Sequence, residues 1–513
     1  MSRVAKTLQN AKVSVFFHLV FIFVQFFARK LFLDHLGDEF IGLTSTLRSF
    51  LGFLNLAELG IGTAIGFSLY KPIFEKNYDE INKLINYFGF LYQRIGLIIL
   101  GLSLILSGFF PWIFSDVQIS LGIVYYGFFA FLANSMLGYF YNYHMFLLQA
   151  DQKDYIVAKY TQSSTITKIL LQCVLVFYFE SFFWWITLEL ASTLYYSIAL
   201  RRKIAREYPW LEIPLNSTGL TFRKYPELFR KIKQISVHKF GAFVSAGTDN
   251  IVIFAFVSVE SVAFYGNYYL IINNFYSLLN RLFAGTNASV GNLVAEQNKE
   301  QINRVFWELM ALRFFIASIS TIGIFLLIEP FIELWLGSRY ILEKSTLIFF
   351  SVNFFLQQVR QAVDVFIQAY GLYDDTWAPV TQSVINLAVS LVLVHYYGIT
   401  GVLVGTFVSM IVIVMIWRPY YIYSRGFKRP IREYITGFLS LMVAVVLTYG
   451  IMQAIVRAIY DKPLDSYLDW GLFALQIVGL TALISALFLF VLSRGFRDLQ
   501  ARIWLLIRKR LKK

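Results

Sequence analysis

About 14 stretches of roughly 20 or more predominantly apolar residues follow one another along the 513-residue chain, separated by short polar connections. A helix rises about 1.5 Å per residue, so each such stretch matches the ~30 Å thickness of a bilayer's hydrocarbon core. One run of this kind can be buried in a large soluble domain; so many in series cannot. The runs cover approximately residues 13–33, 41–69, 84–109, 119–148, 155–179, 181–200, 236–258, 262–290, 304–329, 341–369, 377–396, 400–420, 434–457 and 470–492. A composition of 58% hydrophobic and only 15% charged residues fits no soluble class. The expectation is an all-α polytopic membrane protein.

The first run follows Arg3, Lys6 and Lys12, has no small-residue cleavage site after it and leads into a second span, so it reads as a retained helix rather than a signal peptide. An even number of spans puts both termini on one side. The connections on that side carry roughly 32 Arg and Lys residues, against Arg339, Lys344 and Lys462 on the other, which makes the termini cytoplasmic. Most of the formal charge of +14 is then topology, and no nucleic-acid partner is needed to explain it. The opposite loops are too short for a folded external domain. The single Cys173 excludes an intramolecular disulfide and any cysteine-based metal cluster.

Two sequence matches at nearly one offset point to an internal repeat. Residues 75–83 (EKNYDEINK) resemble 296–304 (EQNKEQINR), and Gln149-Ala150 followed by Thr161-Gln162-Ser163 recurs as Gln368-Ala369 followed by Thr381-Gln382-Ser383. The expected organisation is a six-helix bundle over 1–200, a basic cytoplasmic linker over 201–235 and a second six-helix bundle over 236–432. Helices 13 and 14 follow over 433–492, then a basic amphipathic tail over 493–513. Six helices per copy is even, so the copies are parallel repeats, an arrangement suited to alternating access.

Charges inside the spans carry the functional information, because each costs about 2.5–3.5 kcal/mol at membrane depth and so faces a protein interior or a wet cavity. The cations are Arg29, Lys30, Arg48, Arg94, Lys168, Lys239, Arg281, Arg313 and Arg360; the anions at comparable depth are Glu58, Glu189, Asp249 and Asp364. The positive-inside rule concerns loops and does not account for that cationic excess. An anionic ligand such as a phosphate or pyrophosphate does, since guanidinium forks match its oxygens.

Arg29 and Lys30 lie near a helix end, where snorkelling accounts for them equally well. Arg360 and Asp364 are one turn apart and can pair with each other. Arg48, Arg94, Arg281 and Arg313 have no acid three or four residues away in their own helices, which makes them the better cavity candidates. Asp249-Asn250 suits either an ion or proton site or a helix–helix salt bridge. Residues 41–69 hold Arg48, Glu58 and the small-residue stripe Gly60, Gly62, Thr63, Ala64, Gly66, where a neighbouring backbone can approach closely.

No enzyme constellation is visible. The histidines at 18, 35, 144, 238 and 395 lack metal spacing, and Asp374-Asp375 reads as a solvated loop pair.

The order Arg29, Phe32, Leu36-Gly37, Phe40-Ile41-Gly42-Leu43, then Leu56-Ala57-Glu58-Leu59-Gly60-Ile61-Gly62-Thr63-Ala64-Ile65, then Leu69-Tyr70-Lys71-Pro72 resembles the bacterial polysaccharide transporter family. That family contains O-antigen and capsule repeat-unit flippases and shares a superfamily with MATE drug exporters and the peptidoglycan-precursor flippase. The resemblance implies ion-coupled translocation of an undecaprenyl-pyrophosphate-linked oligosaccharide from the cytoplasmic to the outer leaflet of a bacterial cytoplasmic membrane. A polymerase and a chain-length regulator are the pathway partners it implies. Relatives use arginines of helices 1, 2 and 8, which correspond here to Arg29, Arg48 and Arg281. With Arg94, Arg313 and Arg360 these make up the expected pyrophosphate-binding set. Glu58, Asp249 and Asp364 are the coupling candidates for H+ or Na+, and no other cofactor is implied. The alternative is an organic-cation antiporter of the same fold, which would want an acidic cavity.

Overall fold

A computed structural model describes residues 3–55, 61–212, 247–283, 286–459 and 464–511. Every regular element among them is helical. In chain order these are α1 (Arg3–Leu54), α2 (Ile61–Glu75), α3 (Tyr78–Ser107), α4 (Leu121–Phe140), α5 (Met145–Ala150), α6 (Asp154–Phe179) and α7 (Phe182–Glu207). They are followed by α8 (Asp249–Phe256), α9 (Val259–Leu282), α10 (Thr286–Ala295), α11 (Lys299–Leu336), α12 (Lys344–Ala369) and α13 (Trp377–Ser409). The last continues through π-helical turns to Phe427; α14 (Ile431–Ile459), α15 (Tyr467–Leu492) and the tail α16 (Arg494–Leu511) close the chain. Two short helical turns, Phe110–Ile113 and Ser338–Tyr340, cap loops.

Among the described residues eight helical stretches are long and apolar enough to cross a membrane. Two of them, Phe16–Leu54 with 39 residues and Trp377–Phe427 with 51, are longer than one crossing needs and are interrupted inside. Each is broken by one non-helical glycine: Gly37 at φ 80°, ψ 164° and Gly398 at φ 53°, ψ −129°. The backbone at Gly37 is one that only glycine adopts without strain, so a single residue turns one continuous helix into two passes. The spans expected at 13–33 and 41–69 therefore follow one another with no connecting loop, separated only by the break at Gly37. The described parts of the second are helical through Leu54 and from Ile61 past 69 to Glu75, and residues 56–60 lie outside the described residues. Helices α7, α9 and α12 are of spanning length but outside the apolar set, and α7 and α12 carry Glu189 and Asp364, carboxylates that form ion pairs inside the protein. The chain is a multi-pass membrane protein, and side chains such as Phe23, Leu475 and Leu483 stand exposed on it as a lipid-facing surface requires.

Contacts divide the chain into two compact units, Met1–Gly266 and Asn267–Lys513. In the first, Phe40 stacks on Phe182 at 4.5 Å and meets Trp185 edge-on, while Gly42 leaves the room that the Val259 carbonyl fills. In the second, a core around Phe306, Phe314, Phe366 and Tyr423 joins α11, α12 and the π-helical segment to α14 and the tail.

The repeat reappears as backbone geometry. Asn77 and Asn298, 221 positions apart, both cap a helix by accepting the amide three residues on at 3.1 Å, and both follow a residue in the left-handed region, Lys76 at φ 54° and Gln297 at φ 57°. The ends of α5 and α12 match in the same way. Gln152 at φ 58° and Gly371 at φ 66°, 219 positions apart, each donate to the carbonyl three residues back.

Candidate functional site

In the first unit the polar centre lies where α1, α6 and α7 meet. Past the Gly37 break, α1 carries Thr44, Ser45, Thr46 and Ser49, whose hydroxyls donate back to carbonyls of their own helix and so cost little in an apolar setting. Arg48 sits among them. Its guanidinium lies 2.9 Å from one oxygen of Glu189 on α7, 4.6 Å over the Phe131 ring and 5.9 Å from the Trp185 ring. The other Glu189 oxygen takes Lys168 of α6 at 2.7 Å and the Gln172 amide at 3.2 Å; the same amide nitrogen donates to the Trp185 carbonyl.

One carboxylate thus answers two cations, leaving the cluster with a net positive charge. Exposure decides where that charge is available: the side chains of Glu189 and Lys168 are 7% and 13% exposed, that of Arg48 is 50% exposed. The buried pair holds Arg48 in place, and half of the Arg48 side chain remains exposed.

Two further sequence candidates lie in this unit. Arg29 is half-buried and donates to the Ala263 carbonyl at 3.1 Å. Asp249, at the start of α8, is buried; Tyr265 donates to one of its oxygens at 3.0 Å, and the other has no hydrogen-bond partner among the described residues. Next to it, Asn250 donates to Ser49 at 3.1 Å, which ties the Asp249 segment to the residue that follows Arg48. Arg94 is exposed with its guanidinium over Phe90, and Lys30 pairs with Asp34 at 3.5 Å. Glu58 and Lys239 lie outside the described residues, as does most of the linker over 201–235.

The second unit repeats the charge logic with other residues. Asp364 of α12 pairs with Arg360 at 2.9 Å and also with Arg418. Arg418, at the end of the span expected at 400–420, is not among the sequence candidates; in the structure it is a partner inside the bundle. Arg313 of α11 is 5% exposed, donates to Gln358 at 3.5 Å and lies 4.2 Å over the Phe283 ring, with no acid paired to it among the described residues. Arg281, in the last turn of α9, is exposed. Asp375, expected to be a solvated loop acid, is buried and accepts from the Trp417 indole at 3.2 Å.

Among the described residues no three His, Cys, Asp or Glu side chains are placed to hold a metal ion. In each unit one buried carboxylate is shared by two cations, Glu189 by Arg48 and Lys168, and Asp364 by Arg360 and Arg418. Sequence reading lists Glu189 and Lys168 as buried charges but does not join them to Arg48. The signal that would have joined them is the count itself, one acid against several cations with no partner in their own helices.

No protein-family model and no curated protein matches the chain. Solved structures do. The lipid II flippase MurJ in an inward closed conformation aligns over 94% of this chain and 99% of its own, with a TM-score of 0.61 and 18% identity. An inward-facing multidrug resistance MATE family transporter of the MOP superfamily covers 81% of this chain and 98% of its own at TM-score 0.59 and 16% identity. A MOP superfamily transporter from Pyrococcus furiosus, described as having a binding pocket of reversed polarity that suggests a different function, covers 83% and 96% at TM-score 0.54 and 14% identity. The chain has the fold shared by MATE transporters and the MurJ flippase.

Proposed function

We propose that this protein is a flippase that carries an undecaprenyl-pyrophosphate-linked oligosaccharide from the cytoplasmic to the outer leaflet of a bacterial cytoplasmic membrane, for assembly of a surface polysaccharide such as an O-antigen or capsule. The observation that carries the reading is Arg48: a half-exposed side chain within an apolar span, anchored to a carboxylate that Lys168 already neutralises. A fully compensated site would need no ligand. This one carries net positive charge, and a pyrophosphate supplies what balances it. Arg29 and, in the second unit, Arg281, Arg313 and Arg360 are further contacts in this proposal, taken up at different stages of transport.

Asp249 is the coupling group in this reading. A buried carboxylate with one unpartnered oxygen next to an Arg48-bearing helix can exchange a proton or a small cation as the protein changes state. Asp364 is less suited, because two guanidinium groups already hold it.

The MurJ likeness makes a lipid-linked cargo reasonable for this fold, and the reversed pocket polarity of the Pyrococcus transporter is a precedent for a departure from drug export. The test is transport in proteoliposomes of a labelled polyprenyl-pyrophosphate oligosaccharide beside labelled organic cations. Movement of the pyrophosphate lipid alone supports the proposal. Proton-driven exchange of organic cations without movement of the lipid replaces it with the antiporter reading.

A further inference from the structure

A polar cavity of about 1080 Å³ opens in the second unit where the starts of α11 and α14 meet the junction of α15 with the tail helix α16. It is large enough for a small-molecule site. Its floor is Trp307: a Cβ at Gly437 of α14 would collide with the indole, and one at Gly495 of α16 with the Trp307 carbonyl. Glycine at both positions lets two helices close on the tryptophan. The turn from α15 into α16 is fixed by Arg497, which donates to the carbonyls of Phe490 and Val491 at 3.0 Å each.

The wall from α14 presents Glu433, Thr436 and Ser440, one polar face at helical spacing on a helix apolar enough to span a membrane. Polar residues on such a helix face protein or water and not lipid tails. Every cation on the rim is arginine, the side chain whose planar fork fits phosphate. Most of the charge is already matched. Arg429 pairs with Glu433 at 3.2 Å, Arg304 with Asp498 at 3.5 Å, and Arg502 with the buried Glu308 at 3.0 Å. Two lining groups, Arg494 and Glu300, form no ion pair among the described residues, and they are one of each sign.

We propose that this cavity binds a phospholipid headgroup that carries both a phosphate and a protonated primary amine, whose N–H groups a carboxylate can accept. Arg494, in the first turn of α16, takes the phosphate; Glu300 takes the amine. The lipid's chains run along the outer faces of α14 and α15, where Ile435, Leu439 and Val491 are exposed and Leu492 joins that surface to the cavity wall. A resident lipid of this kind seats the tail helix against α11. The inference needs only the membrane reading and stands whether or not the transported cargo is the one proposed above.

The shared chemistry, a phosphate and an amine on one small molecule, also exists in water-soluble glycerophosphoethanolamine, so the test includes both sources. Full-length protein is exchanged into nanodiscs holding equal amounts of phosphatidylethanolamine, phosphatidylglycerol and phosphatidylcholine, and the lipid it retains is read by native mass spectrometry. The expected result is preferential retention of phosphatidylethanolamine. Arg494→Ala lowers retention of every phospholipid roughly tenfold, as loss of one charge-assisted contact should. Glu300→Gln lowers phosphatidylethanolamine alone. Both residues are exposed and unpaired, so neither change strands a buried charge. Equal retention of the three lipids, or indifference to both substitutions, overturns the proposal. Displacement of the retained lipid by micromolar glycerophosphoethanolamine overturns the lipid source and assigns the cavity to a soluble ligand.

Discussion

The guanidinium of Arg48 and the carboxylate of Glu189 lie 2.9 Å apart, one half-exposed and the other buried. Their chain separation is 141 residues, and nothing in either helix taken alone announces the pair. Because Lys168 holds the other carboxylate oxygen, the three side chains form a unit whose parts respond differently to removal.

Glu189→Gln leaves Lys168 buried without its counter-charge. Breaking one side of a buried ion pair costs about 3 kcal/mol or more. The expected outcome is a clear fall in the thermal unfolding midpoint in detergent, partly restored by adding Lys168→Met, which removes the stranded cation. Midpoints of the two variants beside wild type check it.

Asp249→Asn keeps the shape and the hydrogen bond from Tyr265 while removing the titratable group. Transport by this variant should persist down a cargo gradient and lose its response to an imposed proton or sodium gradient. Uptake with and without the ion gradient separates the two.

A pH dependence is built into the connection between α5 and α6 and the end of α7. Hydrogen bonds from Lys153 and Lys203 hold the Glu207 carboxyl below its usual range. Burial alone would lower the Lys153 amine, but its bonds to Asp151 and Glu207 prevail and raise it. A depressed acid contributes stability above its unfolded pKa and loses it as pH falls through the lower folded value. A raised amine contributes below its unfolded pKa and loses it as pH rises. This junction is therefore tightest near neutral pH and loosens below about pH 4.5, the ordinary value for Glu207. Hydrogen exchange at residues 151–153 and 207–208 at pH 7 and pH 4 should show faster opening at the lower pH.

Gly495→Ala places a methyl against the Trp307 backbone, which cannot yield as a flexible side chain would. Overpacking of this kind costs about 1–3 kcal/mol. The tail helix should detach first, making residues 494–511 more sensitive to limited proteolysis while the unfolding midpoint of the remainder moves little.

Much of the architecture is legible in the sequence because bilayer thickness imposes a single length scale on it. The runs at 84–109, 155–179 and 470–492 coincide with α3, α6 and α15 to within a turn or two. The repeat is legible through Asn77 and Asn298, since a helix cap needs a particular side chain at a particular place. Pairings across helices are not legible. Arg418 stands at the end of the span expected at 400–420 with nothing beside it to name a partner, and only the continuation of the helix after Gly398 through π-helical turns carries it to Asp364. Asp375 misleads in the same way: an acidic pair in a connection suggests solvent, and only the fold brings the Trp417 indole to it.

In the proposed flippase, the exposed part of the Arg48 side chain meets the pyrophosphate of a lipid-linked cargo. Flipping of a labelled polyprenyl-pyrophosphate oligosaccharide by proteoliposomes holding wild type, Arg48→Lys or Arg48→Ala tests it most directly, with folding monitored in parallel. Lys168 still neutralises Glu189 in both variants, so the fold should survive. The account predicts loss of roughly tenfold or more in flipping for Arg48→Ala, the size expected when a charge-assisted contact is removed, with partial retention in Arg48→Lys. Flipping at the wild-type rate by folded Arg48→Ala protein would contradict it.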